Sequence, residues 1–449
     1  MAAGVEAMAP HITGLSIDSR TIKLGEIFFA IIGDRHDGHD YVEQAFAQGA
    51  AAAVISRSRI ERYAGKQLGP MFVVDDTHEA LLNLAGYLRR HSEARFAAVT
   101  GSNGKTTTKE MLYAIMKVRH AVYRSPGNLN NLYGLPISLG QMPEEAQFAV
   151  FELGISVPGE MSRLASIIKP DLALMTNIGP AHLETLRSID QIVKAKFELV
   201  DRLPVGAAVI LNADDPRLTA EAARRKLDFV GFGIDHECRF RGRLVRSEGE
   251  CGMVFEIEGQ TIHLPLVGRI NVYNALAAIA ASSVWGAAPE DWVAGLESFQ
   301  PVEMRLALEE YRGWHLLIDC YNANPESVSA ALAALAEMKV TGKKIAVLGD
   351  MLELGVESER LHEQIGRAAA VAGLDHLLCL GPQSAATAKA AMSAGLAAPA
   401  VGHYLTHPEL LNALLAVVGR GDLILFKGSR GMELEKIVVG LKASASENS

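Results

Sequence analysis

Cysteine is scarce: the 449-residue chain holds 4, at Cys238, Cys251, Cys320 and Cys379, with no C-x-x-C pair among them. That excludes a disulfide framework and the ligand spacing of a structural zinc site, and it suits inert thiols in a reducing compartment. No apolar run approaches the roughly 20 residues needed to cross a bilayer; one of the longest covers only 27–32. The opening stretch MAAGVEAMAPHITG lacks the basic and apolar regions of a signal peptide. An excess of positive charge is missing too. Lys+Arg number 43 against 52 Asp+Glu, a formal charge of −9, so the electrostatic footprint of a non-specific nucleic-acid binder is absent. From these absences we expect a cytoplasmic protein with no nucleic-acid partner and no stable membrane insertion. An acidic balance leaves room for a locally basic pocket that takes an anion.

What remains is an ordinary globular composition, 49% hydrophobic and 21% charged, long enough for about three domains. Residues 1–92 read as a small α/β unit, with strands at 27–32, 51–55 and 71–74 and helices at 41–48 and 79–90. The charged stretch 89–95 reads as a linker. A second unit, 93–303, opens with a strand at 96–100, a glycine-rich turn and a helix to about 119. Strands at 148–153, 172–177 and 207–211 then alternate with helices at 159–168 and 189–203, the rhythm of a mostly parallel sheet. Between 240 and 267, short alternating runs broken by glycine predict antiparallel strands attached to that sheet, followed by helices at 272–284 and 289–298. After a boundary near 301–306, a third α/β unit, 304–449, carries strands at 316–320, 345–349, 376–380 and 423–426 and a helix at 434–441. The polar tail 443–449 is expected to fray. Nothing reads as a repeat, a coiled coil or a dedicated interface, so a monomer is expected.

The strongest chemical feature is Thr100-Gly-Ser-Asn-Gly-Lys-Thr106 between a strand and a helix. Glycines let backbone N–H groups approach a phosphate, and the helix N-terminus adds its positive dipole end. Lys105 supplies a point charge and Thr106 a hydroxyl for Mg²⁺. The loop is shorter than the G-x-x-x-x-G-K-[ST] form, because Val99 stands where the first glycine is usual. A plain glycine turn opening a helix is the bland alternative.

Phosphoryl chemistry also needs metal ligands. Glu152 stands at the end of the strand 148–153, and His182 and Glu184 follow the end of another. A lone acid in a strand is more often an ion-pair residue, and a lone His more often structural. Such groups at consecutive strand ends beside a phosphate loop point to a metal role for Glu152 and His182. Lys194 and Lys196 lie on the next helix, where a solvated face explains both on spacing alone. Asn271 and Asn274 share a helix face, and capping is the default role for Asn271. Three polar loops at strand ends, 318–327, 349–355 and 427–431, can line one face of the third unit and look across at the phosphate loop.

Together these segments are similar to those of the Mur ligases of peptidoglycan synthesis, over about 14–441 of the chain. The shortened Thr-Gly-Ser-Asn-Gly-Lys-Thr loop matches the family's ATP loop. Asp18-Ser-Arg20 with Asp37-Gly-His39, Gly127-Asn-Leu-Asn-Asn131, the segment 319–325 and Gly349-Asp-Met-Leu-Glu-Leu-Gly355 resemble the branch that adds D-alanyl-D-alanine. No Asp-Asn-Pro-Arg segment of the diaminopimelate-adding relatives is present. The resemblance implies an N-terminal UDP-sugar domain, a central ATPase and a Rossmann-like C-terminal domain. It also implies a reaction. ATP phosphorylates the terminal carboxylate of UDP-N-acetylmuramoyl-tripeptide, and the amine of D-alanyl-D-alanine attacks the acyl phosphate.

By the same resemblance, Gly101, Ser102, Asn103, Gly104, Lys105, Thr106 and Thr107 hold the ATP phosphates. Thr106 and Glu152 are ligands of a first Mg²⁺, His182 of a second, and Lys196, if carbamylated by CO₂, helps hold that second ion. Lys105, His182 and Lys196 are the residues assigned to catalysis. Asn271 and Asn274 match adenine contacts, Arg305 a phosphate-reaching arginine at the hinge, and Asp319 an acid at the nucleotide, with Tyr321, Asn322 and Asn324 along the same edge. Ser19 and Arg20 resemble uridine-diphosphate contacts, Asn131 a residue near the reacting carboxylate, and Asp350 and Ser429 dipeptide contacts. A sister ligase adding another residue and a folylpolyglutamate-synthase-like ligase share the ATP loop but not both 319–325 and 349–355. A nucleotide switch would leave Glu152, His182 and Lys196 without a task.

Overall fold

The computed structural model describes residues 12–447; the opening stretch 1–11, on which the missing signal peptide was judged, and residues 448–449 lie outside the described residues. The chain forms an α/β structure built on parallel sheets. The first sheet has four strands, Gly14–Ser16, Glu26–Phe29, Ala52–Ser56 and Met71–Val74, paired in chain order and parallel throughout. The helix Thr77–Arg90 follows, started by Asp76, whose carboxylate accepts the N–H groups of His78 and Glu79. The expected linker is shorter than 89–95, because this helix runs through Arg90 and the next strand begins at Arg95. Arg89 is no solvated tether residue: its Nε donates to the Ile168 carbonyl at 2.6 Å, and its guanidinium lies over the Phe96 ring at 3.9 Å. The first unit is therefore joined to the second through a packed helix.

The second sheet has seven parallel strands in the order Phe240–Arg241, Val230–Gly233, Ala208–Asn212, Leu172–Met175, Arg95–Thr100, Phe148–Glu152 and Val122–Arg124. The chain starts at the interior strand Arg95–Thr100, fills one side, then crosses to fill the other. In open parallel sheets ligands bind beyond the carboxyl ends of the strands at such a reversal. The region 240–267 departs from expectation. Only Phe240–Arg241 joins this sheet, and it does so parallel, while Arg243–Ser247, Met253–Ile257 and Gln260–Leu264 form a separate antiparallel sheet. Phe255, Ile262 and Leu264 share a core with Val272, Leu276 and Ile279 of the helix Arg269–Val284, so packing rather than strand pairing attaches it. From Ala275 to Ala281 that helix is apolar all round and buried, as a central helix must be.

The third sheet of the main body has six strands in the order Ala307–Tyr311, Trp314–Asp319, Leu423–Lys427, Lys344–Gly349, His376–Leu380 and Val401–Tyr404. The first pair is antiparallel and the remainder are parallel. The final helix, Glu435–Glu447, extends beyond 441 into the tail expected to fray. Ile437, Val438 and Leu441 anchor it on Leu410 and Leu414, and the small residues beyond continue the turn. Among the described residues, no helix is long and apolar enough to cross a membrane.

Candidate functional site

The carboxyl ends of the second and third sheets face a shared cleft of about 720 Å³. Its floor is the turn after the strand Arg95–Thr100. Gly101 has φ 146° and a Cβ there would lie 1.9 Å from Thr176 Oγ1; Gly104 has φ 79° and a Cβ there would lie 2.2 Å from Asn274 Oδ1. Side chains are therefore excluded where the backbone must bend tightly. The turn is pinned by Asn103 N–H to Asn177 Oδ1 at 2.8 Å, and by Ser102, whose Oγ donates to the Gly179 carbonyl and accepts its N–H. The helix Lys105–Met116 begins at Gly104 with no side-chain cap, which leaves its positive end to the cleft. Lys105 Nζ rests on the Gly101 carbonyl at 2.9 Å, and Thr107 is buried in the first turn. Burial lowers the Lys105 ammonium, against the pull of Glu152.

Glu152 closes the strand Phe148–Glu152 and is 2% exposed. Its Oε2 accepts the Thr106 hydroxyl at 2.7 Å and its Oε1 the Asn130 amide at 2.8 Å. Burial opposes its ionisation, yet Lys105, Lys109 and Arg305 outweigh burial and hold the carboxyl below its ordinary range. Arg305 reaches in from the segment between the second and third sheets, donating to Thr106 Oγ1 at 2.9 Å and lying over the Tyr321 ring at 3.9 Å. Lys196 is buried whereas Lys194 is exposed. Lys196 Nζ donates to the Gly101 carbonyl at 2.9 Å, and burial first, then Lys105, drives its ammonium far below the ordinary range.

Asn271 and Asn274 sit together beneath the turn, Asn274 Nδ2 donating to Asn271 Oδ1 at 3.1 Å. Asn271 is not the cap expected by default: Gly268 holds that position, and the Asn271 amide reaches back to the Val267 carbonyl at 2.9 Å. Opposite, Asp319 pairs with the buried Lys427 at 2.9 Å, and burial raises its carboxyl despite that cation. Lys427 also donates to the Asn322 carbonyl at 2.7 Å. Asn324 starts the helix Pro325–Glu337 by accepting the Ser327 N–H, and its amide donates to Asn103 Oδ1 at 2.8 Å, a direct bond across the cleft. His182 Nδ1 meets Glu353 Oε2 at 2.5 Å, a bond that is the main cause of the lowered Glu353 carboxyl.

The structure thus brings 101–107, Glu152, His182, Lys196, Asn271, Asn274, Arg305, Asp319, Tyr321, Asn322, Asn324 and Ser429 to one cleft. Asn131 also lines it, but its Oδ1 accepts the N–H groups of Tyr133 and Gly134, and the neighbouring Asn130 is the residue that touches Glu152. Three expected contacts lie elsewhere. Asp350 is buried behind the wall, its carboxylate accepting the N–H groups of Ser384 and Gln383. Ser19 is buried against Gln44, and Arg20 pairs at the surface with Asp18, both in the first unit away from this cleft. Sequence reasoning missed Asn130, Lys109, Lys427 and Glu353. Lys109 is fully buried and donates to the Ser125 carbonyl at 2.6 Å, bracing the loop that carries Asn130; its place in the helix after Lys105 was the available signal.

Among the described residues, no three or more His, Cys, Asp or Glu side chains gather as a metal-binding group. The oxygen pair of Thr106 and Glu152 suits Mg²⁺ nonetheless, since that ion commonly takes only one or two protein oxygens and completes its shell with phosphate and water. Lys196 fits conversion to an anionic ligand: it is buried with a carbonyl as its hydrogen-bond partner, and burial pushes its ammonium well below the ordinary range.

Models of known families match the chain in three stretches: the Mur ligase family catalytic domain over 11–87, the Mur ligase middle domain over 99–282 and the Mur ligase glutamate ligase domain over 304–430. The UDP-N-acetylmuramoyl-tripeptide--D-alanyl-D-alanine ligase of Bacillus subtilis is 38% identical over 437 residues, covering 96% of this chain and 93% of that protein. Among solved structures, MurF from Acinetobacter baumannii superposes with a TM-score of 0.85 at 30% identity, over 96% of this chain and 93% of its own. MurF ligase from Thermotoga maritima, in complex with ADP, gives a TM-score of 0.85 at 27% identity over 98% of this chain and 100% of its own.

Proposed function

The chain belongs to the Mur ligase family, and on that premise we propose that it joins D-alanyl-D-alanine to UDP-N-acetylmuramoyl-tripeptide at the expense of ATP, as a cytoplasmic monomer in peptidoglycan synthesis. One observation carries this reading: a phosphate loop with buried Glu152 and Lys196 faces a second wall of polar strand-end loops across one cleft. That arrangement suits a reaction between an activated carboxylate and an amine, each held by a different unit. We place the units at 1–92 for the UDP-sugar, with Ser19 and Arg20, at 93–303 for ATP, and at 304–449 for the incoming dipeptide.

In this reading the backbone N–H groups of 101–104 and the Lys105 ammonium take the ATP phosphates, and Asn271 and Asn274 support the adenine end. Thr106 and Glu152 would hold one Mg²⁺, and His182 with Lys196, if carbamylated by CO₂, would hold another. Bound there, Mg²⁺ neutralises the crowded phosphates and stabilises charge as the phosphoryl group moves. Arg305, fixed over Tyr321, adds a guanidinium beside Thr106 at the same phosphates. The tripeptide carboxylate is a poor electrophile until its oxygen is phosphorylated, after which the dipeptide amine displaces phosphate. Asn130 and Asn131 edge the approach of the carboxylate, and the wall with Asn322, Asn324 and Ser429 edges that of the amine.

The test is phosphate release from ATP and Mg²⁺ with UDP-N-acetylmuramoyl-tripeptide, with and without D-alanyl-D-alanine. Release that needs both, with a UDP-linked pentapeptide as product, is expected. Release driven by a free amino acid instead would assign a sister ligase, and ATP binding without turnover with any amine would favour a nucleotide switch.

A further inference from the structure

The third unit touches the ATP-loop side of the cleft at Asn103, through Asn324, and again at His182. There the third unit supplies a carboxylate, from the loop between the strand Lys344–Gly349 and the short helix Gly355–Glu357. Resting on the ligase reading above, we propose that Glu353 is a positioning residue for His182: it fixes the ring with the proton on Nδ1, leaves Nε2 as the nitrogen offered to a bound metal, and does so only when the two units are docked.

Four observations converge. The Nδ1–Oε2 contact is 2.5 Å, and both residues line the cleft. The same loop accepts the Glu184 N–H at the Glu353 carbonyl, 3.1 Å, so the ring is gripped both directly and through its own chain. His182 has φ 55° and Glu353 φ 61°. Left-handed backbone at residues other than glycine is costly and persists only where surroundings over-determine it. The loop is also braced from behind: Leu352 N–H donates to Ser429 Oγ at 2.9 Å, Met351 N–H to the buried His362 Nε2 at 3.0 Å, and Asp350 is locked by Ser384 N–H at 2.7 Å. Glu353 is itself 57% exposed, and a surface carboxylate making a casual ion pair needs no such scaffold.

The chemistry follows from the atoms. A carboxylate accepts only, so the nitrogen facing it carries the proton, and in the neutral ring the opposite nitrogen keeps its lone pair. Metal-ligating histidines commonly have such an outer partner, which sets ring orientation. Here that partner lies on a different unit, so docking of the third unit and completion of the metal site become one event. Asp350, first assigned to the dipeptide, then acquires a different task, as an anchor of the loop that delivers Glu353.

The experiment uses the full chain labelled with ¹⁵N-histidine, and the variants Glu353→Ala and Glu353→Gln. The His182 signal, identified by its loss in His182→Ala, is expected to report an Nδ1–H tautomer in the parent and a mixed or Nε2–H ring in Glu353→Ala. Glu353→Gln, whose amide oxygen still accepts, is expected to restore the parent tautomer. Binding of Mn²⁺ in the presence of ADP, read by electron paramagnetic resonance without turnover, is expected to weaken about 10- to 100-fold in Glu353→Ala and to recover in part in Glu353→Gln. An unchanged tautomer, or Mn²⁺ binding in Glu353→Ala equal to the parent, overturns the proposal, and a parent that binds no Mn²⁺ overturns it too. A parent that makes no pentapeptide, yet shows both expected shifts, overturns the substrate assignment and leaves Glu353 in this role.

Discussion

Two carboxylates, Glu152 buried and Asp319 only 13% exposed, line the cleft, each at the end of a parallel strand and each beside a lysine, and they behave oppositely. Glu152 is held below its ordinary range; Asp319 is pushed above it. Burial opposes ionisation in both. Glu152 is met by Lys105, Lys109 and Arg305 together and by the Thr106 hydroxyl, and the sum wins. Asp319 has chiefly Lys427, whose ammonium also serves the Asn322 carbonyl, and burial wins. One lysine beside a buried acid does not decide its charge; the number of converging cations does. The first carboxylate is suited to hold a cation, and the second to hold a lysine and the loop beneath it.

The sharpest way to break this contrast is to disable the cation end alone. Lys196→Ala is expected to bring turnover below detection while the fold persists, and short carboxylates added to the assay are expected to restore part of it; near-normal turnover would remove the metal-site reading. At the other end the loss is expected in stability. Asp319→Ala leaves Lys427 uncompensated in the interior and should cost about 3–5 kcal/mol in urea unfolding, most of it recovered when Lys427→Met is added.

A third acid sharpens the rule about converging partners. Asp37 is buried enough to be pushed up, but the His39 N–H and ring, with Arg59, bring its carboxyl down to about 2 from 3.8. A depressed carboxyl stabilises the fold above its unfolded value and loses that contribution as pH falls through the folded one. Unfolding free energy is therefore expected to fall by about 2 kcal/mol between roughly pH 4 and 2 on this account, and Asp37→Asn should flatten that window. The smallest effect is expected where solvent screens the pair. Arg57 and Asp75, 68% and 89% exposed, meet at 2.9 Å, and Asp75→Ala should change stability by less than about 0.5 kcal/mol.

The strand–turn–helix of the phosphate loop and the alternation of the two large sheets were legible because periodicity and glycine punctuation are local signals. Short strands were not: Gly14–Ser16, Val122–Arg124 and Val401–Tyr404 hold too few residues to show alternation and are strands only because a neighbour pairs with them. The helix Pro216–Arg225 had a signal that went unused, Asp215 as cap with Pro at the first position. At the site, residue types pointed to Glu152 and His182, while spacing could not choose between Lys194 and Lys196; burial separates them. Asp350 misled because an acid in a polar loop says nothing of which way it turns. Glu353 was illegible since its partner lies 171 residues away in the chain.

Arg305 sits neither in the second sheet nor in the third, but in the strap between them. Met304 and Leu306 on either side have φ 57° and 49°, and the Leu306 N–H is tied to Asp319 Oδ1. A recombination breakpoint placed just before this strap would hand the guanidinium that reaches Thr106 to whichever third unit came with it. On the proposed division of labour, grafting a foreign amine-binding module onto the ATP-binding unit would replace part of the nucleotide site as well, so acceptor choice and nucleotide handling would be inherited as a package.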